Sequence, residues 1–282
     1  MGRRADEGGP EAVERLVRAV RGKPRYRHVA ADLIRRIAVG ELAKRPAWKE
    51  ALKATCRKLH QVAGAYLGER MPYGRWLEEL RAAPPEALRS VCARIMMAGH
   101  SSTRERLPLL DEFYTTCLSG LKPPGTVLDL GCGLHPLAIP WMPLAEDTVY
   151  LAWDVYEDLV AFLNGFFALL PLPGRAEVRD IGQVPPTERV DLAFLLKVLP
   201  LLEQVEKGSG RRLLEHLRAD VLLVSFPLQS LGGRKGKGME VNYPAWFEAL
   251  TAGRGWRVRE FIFPNEVVFR VERNDVVGPA DS

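Results

Sequence analysis

The sequence predicts an α/β fold, a Rossmann-like domain of mostly parallel strands preceded by an all-helical extension. Three observations carry that reading. Apolar residues recur at three- and four-residue spacing as far as about residue 118, and after residue 122 short β-rich runs alternate with helical stretches. The first of those runs also ends in a pair of glycines, with a second strand behind it that ends in an acid.

In chain order, Val13, Leu16, Val17 and Val20 share one helix face. Val29, Leu33, Ile34 and Ile37 share another, as do Leu52, Leu59, Val62 and Leu67, and then Leu88, Val91 and Ile95. Gly22-Lys23-Pro24, Arg45-Pro46, Met71-Pro72 and Pro84-Pro85 separate these helices. Strands are predicted over Thr126–Leu130, Thr148–Trp153, Ala176–Arg179, Val190–Leu195, Val221–Ser225, Trp256–Phe263 and Glu266–Val271. Strands alternating with helices imply a parallel sheet covered on both faces. Only Pro264-Asn265 separates the last two runs, which reads as a hairpin, so the sheet should end in an antiparallel strand. The expected division is a helical extension at 1–118, an α/β domain at 119–273 and a frayed tail at 274–282.

At 282 residues, with 47% hydrophobic and 27% charged, the chain can bury a large core and is not disordered in bulk. No apolar run approaches the roughly 18–20 residues of a membrane helix, and the N-terminus lacks a signal-peptide core, so a cytoplasmic protein with no membrane partner is expected. Cys56, Cys92, Cys117 and Cys132 lie far apart with no histidine at ligand spacing, which favours reduced thiols over a metal site or a disulfide framework. The net charge of +5 hides an asymmetry: residues 1–110 hold 23 Lys+Arg and 12 Asp+Glu, whereas residues 111–282 hold 17 and 23. A basic part that binds a polyanion thus adjoins a mildly acidic part with another task.

The sharpest motif is Val127-Leu128-Asp129-Leu130-Gly131-Cys132-Gly133-Leu134-His135-Pro136. A buried strand delivers the chain to a turn where Gly131 and Gly133 let a ligand approach the backbone. Asp154 ends the next strand about 20 residues further on, where a carboxylate accepts hydrogen bonds from ribose hydroxyls. A dinucleotide site would have a third glycine where Pro136 stands, and Asp129, just before the loop, would repel a diphosphate. That acid suits a cationic amine, such as the methionine part of S-adenosylmethionine. A nicotinamide cofactor and a ligand-free relic remain the alternatives.

Further along, Asp180 after the third strand can accept from an adenine amino group while Ile181 packs on the ring. The stretch Leu195–Gln204 falls where the floor of such a pocket lies, with Leu196 its wall and Gln204 a further contact. Upstream, in His100–Leu107, Ser102 and Glu105 have capping-box spacing, which is a structural explanation for both. Arg106 could bind the donor's carboxylate bidentately.

The runs His100–Leu107 with Leu110-Asp111-Glu112-Phe113-Tyr114, Gly131–Ala138, Leu196–Glu203, and Val224-Ser225-Phe226-Pro227 leading to Ser230–Arg234 resemble the aminoglycoside-resistance 16S ribosomal RNA guanine-N7 methyltransferases of the Arm/Rmt/Sgm type. The similarity spans about residues 25 to 272. It implies a class I S-adenosylmethionine-dependent methyltransferase fold and an N-terminal extension that docks on the small ribosomal subunit. The implied donor contacts are His100, Ser101, Ser102, Arg106, Gly131, Asp154, Asp180, Ile181 and Leu196, to which the loop chemistry adds Asp129 and Gly133. His135 stands where the family has Asn and Ser101 where it commonly has Ala, and the segment Arg234–Met239 is one residue longer than usual.

Guanine N7 carries an available lone pair, so its methylation needs no general base, and no acid/base dyad or catalytic residue is evident. His28, His60, His100, His135 and His216 read as structural. Recognition should come from Arg21, Lys23, Arg25 and Arg27, with Tyr26 available for stacking, and from Lys53, Arg57 and Lys58. The loop cations Arg234, Lys235 and Lys237 join them. The expected activity is N7 methylation of a decoding-site guanine of 16S rRNA within the 30S subunit, giving aminoglycoside resistance. The alternatives are a methyltransferase acting on another RNA site or a small molecule, and a non-catalytic ribosome-binding factor.

Overall fold

The computed structural model describes residues 9–45, 47–63, 71–183, 186–228 and 243–273. Seven helices come first: α1 (Pro10–Arg21), α2 (Ala31–Lys44), α3 (Trp48–Ala63), α4 (Tyr73–Ala82), α5 (Leu88–Ala98), α6 (Ser101–Arg106) and α7 (Leu110–Cys117). Then follow β1 (Thr126–Leu130), β2 (Val149–Asp154), α8 (Glu157–Phe167), β3 (Gly174–Val178), β4 (Arg189–Leu196), α9 (Leu199–Val205), α10 (Ser209–His216), β5 (Arg218–Pro227), α11 (Tyr243–Thr251), β6 (Arg257–Phe263) and β7 (Glu266–Glu272). The tail 274–282, Leu67 and the side chain of Val62 lie outside the described residues. No described helix is long and apolar enough to cross a membrane.

Helical spacing translates directly into burial. Val13, Leu16, Val17 and Val20 are buried on α1, and Leu33, Ile34 and Ile37 on α2. Together with Leu59 of α3 and Val205 of α9 they form one hydrophobic cluster, against which Val155 and Tyr156 pack. Helices α4, α5 and α7 instead bury Trp76, Ile95 and Phe113 in the core that covers one face of the sheet. Strand periodicity does the rest, since Val127 faces that core while Leu128 and Leu130 face a second core under α9, α10 and α11.

The seven strands are ordered β3-β2-β1-β4-β5-β7-β6. Strands β1 to β5 are parallel, and β7 runs antiparallel to both β5 and β6. The hairpin at Pro264-Asn265 forms, but its second strand inserts beside β5, so the antiparallel strand is next to last and β6 takes the edge. Between β1 and β2 the chain forms a 3-10 helix, His135–Trp141, with Pro140 inside it; proline lacks the N–H that a regular α-helix needs there.

At Gly174, the first residue of β3, an added Cβ would lie 2.2 Å from Cδ1 of the buried Phe167 ring. Gly174→Ala should therefore lower stability by about 1–3 kcal/mol through overpacking, measured by chemical denaturation.

Candidate active site

The end of β1 is built around two left-handed residues. Gly131 has φ +62° and Gly133 φ +53°, a region L side chains rarely adopt. The N–H groups of Gly131 and Cys132 donate to the Trp153 carbonyl at 2.8 and 3.1 Å, and that of Gly133 donates to Asp154 Oδ2 at 2.8 Å. A Cβ at Gly131 would come 2.9 Å from Val198, and one at Gly133 3.1 Å from the His100 ring. Both glycines are thus demanded by conformation and by close packing.

These bonds hold open a cleft at the carboxyl edge of the sheet, on either side of β1. Of the residues expected to contact a ligand, His100, Gly131, Gly133, Asp154, Asp180, Ile181 and Leu196 line it. Asp154 is buried, and its Oδ1 accepts from the Val155 N–H at 2.7 Å. Burial pushes its carboxyl up to about 6, against the pull of backbone hydrogen bonds from Gly133, Val155 and Tyr156. A carboxylate has about four acceptor sites, so capacity remains for donors entering the cleft. Burial pushes His100 down to about 3, so its ring is neutral.

Five expected contacts do not line the cleft. Gln204 is exposed on α9, whose helical turn directs Leu201, Leu202 and Val205 inward instead. Ser101 and Ser102 lie in the first turn of α6, which begins at Ser101; no side chain caps this helix, and Glu105 pairs with Lys197 at 2.8 Å in place of a capping box. Arg106 is buried, with Nε and NH2 each 2.7 Å from a carboxylate oxygen of Glu266. Burial opposes the charge of both partners, but their attraction prevails: the guanidinium's pKa is raised and the Glu266 carboxyl's is lowered. Asp129 belongs to a buried network. Its Oδ2 accepts from Tyr150 Oη at 3.0 Å and lies 2.8 Å from His135 Nδ1, and the other His135 nitrogen lies 2.7 Å from Tyr114 Oη. In the tautomer that carries its proton on Nδ1, the ring donates to Asp129 and Nε2 accepts from the Tyr114 hydroxyl.

Residues 22–270 match the family described as ribosomal RNA methyltransferase (FmrO). The chain belongs to this family. Its relatives include a Frankia casuarinae protein named 16S rRNA (guanine(1405)-N(7))-methyltransferase, 41% identical over 270 residues that cover 93% of this chain and 94% of that one. A Micromonospora rosea protein of the same name is 36% identical, covering 94% and 98%. Among solved structures, the 16S rRNA methyltransferase RmtF in complex with S-adenosyl-L-homocysteine superposes with a TM-score of 0.75 at 33% identity, covering 95% of this chain and 100% of that one. An rRNA methylase from Escherichia coli gives 0.78 at 27%, covering 93% and 100%. The fold is that of a class I S-adenosylmethionine-dependent methyltransferase.

Among the described residues, none of the cations expected to contact RNA lines the cleft. Lys23, Arg25, Arg27, Lys53 and Arg57 are exposed. Their two segments adjoin, since Lys23 Nζ lies 3.2 Å from Cys56 Sγ and Tyr26 Oη donates to the Cys56 carbonyl at 3.1 Å. Three expectations need correction. Tyr26 is buried by that contact and offers no stacking face. Arg21 pairs with Glu157 at 2.6 Å, and Lys58 donates to the Val205 carbonyl at 2.8 Å, so both tie the helices to the α/β core. Arg234, Lys235 and Lys237 lie outside the described residues. Three of the four cysteines are buried, and Cys56 is half-buried. Among the described residues no cluster of His, Cys, Asp or Glu is placed to hold a metal.

Sequence reasoning missed three charged groups in the cleft: Arg36, Arg179 and Lys197. Lys197 has φ +62°, the sole non-glycine with positive φ among the described residues, because the chain must turn from β4 into α9 within a few residues. No local pattern marks it. Arg179 stacks over Trp153, its Cζ 4.0 Å from the ring centroid.

His135→Leu removes the centre of the Asp129 network and leaves a buried carboxylate short of a donor. Unfolding free energy should fall by about 2 kcal/mol or more, read from urea denaturation, whereas His135→Asn should lose less.

Proposed function

We propose that this protein transfers a methyl group from S-adenosylmethionine to N7 of one guanine in the decoding A site of 16S rRNA, within the assembled 30S subunit in the cytoplasm. The guanine is the counterpart of position 1405 in the names of its relatives. The observation that carries the reading is the Asp154 cradle, with two left-handed glycines and a desolvated carboxylate of spare acceptor capacity at the carboxyl edge of β2.

The donor supplies a methyl group already activated on a sulfonium centre. Around it, Asp154 would accept from the ribose hydroxyls, and Ile181 and Leu196 would pack against the adenine and its surroundings. Asp180 would meet the exocyclic amine. Arg106 reaches the donor's carboxylate in this reading only with the guanidinium hydrogens that Glu266 leaves over, since Nε and one NH2 hydrogen are engaged. Neutral His100 lies against the Gly133 loop and has the role of a packing group.

Methylation at N7 needs no proton removed, so the protein's task is to hold the attacking lone pair in line with the methyl group and to extract the base from its helix. The exposed cations at 23–27 and 53–57 would engage phosphates, with the 234–237 loop nearer the target. The added methyl and its positive charge would obstruct 4,6-disubstituted deoxystreptamine aminoglycosides, which makes the protein a resistance enzyme. In this reading α1–α3, whose cluster also takes in Val205 of α9, are the ribosome-facing part of the helical extension, while α4, α5 and α7 pack on the sheet of the methyltransferase domain.

Incubation of purified 30S subunits with methyl-labelled donor should place one N7-methylguanine in 16S rRNA, mapped by reverse transcription after borohydride and aniline cleavage. Label elsewhere, or none, refutes the assignment. Arg25→Glu with Arg27→Glu should weaken 30S binding at least tenfold in filter binding and leave donor affinity unchanged, and wild-type binding should fall steeply with salt. Because Asp154 titrates near 6 and its ionised form accepts the hydroxyls, affinity for S-adenosylhomocysteine should be complete above that pH. It should be lost as pH falls from 7 to 5 in calorimetric titration, and Asp154→Asn should bind weakly with little pH dependence.

A further inference from the structure

We propose that Arg36, on α2, is a positioning residue of the donor pocket: it fixes the Asp180 carboxylate in the orientation that meets the adenine, so the ribosome-facing helices complete a site that the sheet begins. This rests on the donor reading above and extends it to a residue 144 positions away in sequence.

The contact is a built one. Arg36 Nε lies 2.7 Å from Asp180 Oδ2 and NH2 lies 2.9 Å from Oδ1, in a bidentate fork, with side-chain exposures of 14% and 4%. The Gly182 N–H donates to Oδ1 at 3.1 Å. Of about four acceptor sites on a carboxylate, three are then taken, and the remaining one, on Oδ2, matches the single hydrogen that an adenine amine can donate sideways. The guanidinium lies against the backbone at residue 182, where an added Cβ would come 2.8 Å from NH2. Leu33, one helical turn before Arg36, lines the same cleft, so one face of α2 forms a wall of it.

The other ties between α1–α3 and the α/β core flank the cleft without touching Asp180. The Ala30 N–H donates to the Val155 carbonyl and the Glu157 N–H to the His28 carbonyl, both at 2.8 Å, just beyond Asp154. Arg21 holds Glu157, and Lys58 holds the Val205 carbonyl at the end of α9. The Arg21 pair is more than a third exposed on both sides and of the kind that contributes little. The Arg36 fork is desolvated, and an unpaired Asp180 there would be free to rotate. Arg36 also lies 3.5 Å from the half-exposed Glu206 carboxylate, a contact that an Asp180→Asn background leaves in place, so its two roles are separable by experiment.

The test is calorimetric titration of the full chain with S-adenosylhomocysteine and with 5′-methylthioadenosine, which keeps the adenine and ribose but lacks the amino acid. Arg36→Ala should weaken both ligands by tenfold or more, and Arg36→Lys by less. Gly182→Ala, which displaces the guanidinium and keeps its charge, should also weaken both. Arg21→Ala and Lys58→Met, which loosen the same helices away from Asp180, should stay within twofold of wild type. In an Asp180→Asn background, adding Arg36→Ala should cause less than twofold further loss. Wild-type affinity in Arg36→Ala overturns the proposal. So does an equal loss in the Arg21 and Lys58 variants, or a full further loss in the Asp180→Asn background. If Arg36→Ala does not fold, as judged by circular dichroism, Arg36→Lys and Gly182→Ala decide, and wild-type affinity in both overturns it. Absence of any S-adenosylhomocysteine binding by the wild-type protein would instead overturn the donor reading itself.

Discussion

The Gly133 N–H bound to Asp154 Oδ2, with the Gly131 and Cys132 N–H groups on the Trp153 carbonyl, welds the turn after β1 to the end of β2. The rest of the site depends on this weld. Strand order reverses at β1, which has β2 on one side and β4 on the other, and a crevice opens at the carboxyl edge of a parallel sheet where the order reverses. The crevice stays open because two residues there can adopt positive φ and bring no side chain with them. It also stays polar at one point: Asp154 is buried there with backbone donors on both oxygens, which offset part of its desolvation and leave it primed for more.

Of the carboxylates that line the cleft, Asp154 has backbone donors and Asp180 a cation, and those behind the lining are matched as well. Asp129 has His135 and Tyr150, Glu105 has Lys197, Glu266 has Arg106 and Asp180 has Arg36. The matching cuts across the charge asymmetry. Residues 111–282 carry an acidic excess, and Arg21 and Arg36 from the basic half neutralise Glu157 and Asp180 within it. Part of the N-terminal positive charge is therefore internal wiring, while Lys23, Arg25, Arg27, Lys53 and Arg57 are among the cations that face solvent.

What sequence could and could not disclose divides along physical lines. Signals of local origin were legible: the helical spacing of Val13, Leu16, Val17 and Val20, the alternation through β1, the conformational demand at Gly131 and Gly133, and the acid that closes β2. Signals that depend on tertiary placement were not. Nothing near Arg36 in sequence points to Asp180, and nothing near Lys197 announces a left-handed backbone, because the geometry between β4 and α9 imposes it. Tyr26 and Gln204 failed in opposite directions. An aromatic among cations reads as a stacking platform but is buried against α3, whereas a polar residue beside a predicted pocket faces solvent because its helix turns past it. The hairpin at Pro264-Asn265 was legible as a hairpin, yet its order in the sheet was not, since turn chemistry does not choose which strand is inserted.

The placement of α1–α3 changes how recognition and chemistry relate. The segment that presents Lys23, Arg25 and Arg27 runs directly into His28, Val29 and Ala30, which pair with residues 155–157, immediately after Asp154. A phosphate contact at the first group and a ribose contact at Asp154 would thus bear on two stretches of backbone that hydrogen bonds join side by side. Any shift of these helices that improves contact with RNA must strain or relieve the walls of the donor cleft. Linkage then requires the reverse as well, that an occupied cleft change affinity for RNA by the same factor. A helical unit that only docked would need no buried fork at Asp180. One that also shapes the donor cleft, as proposed for Arg36, would couple RNA contact to donor occupancy, with a sign set by whether the shift strains or relieves the cleft walls.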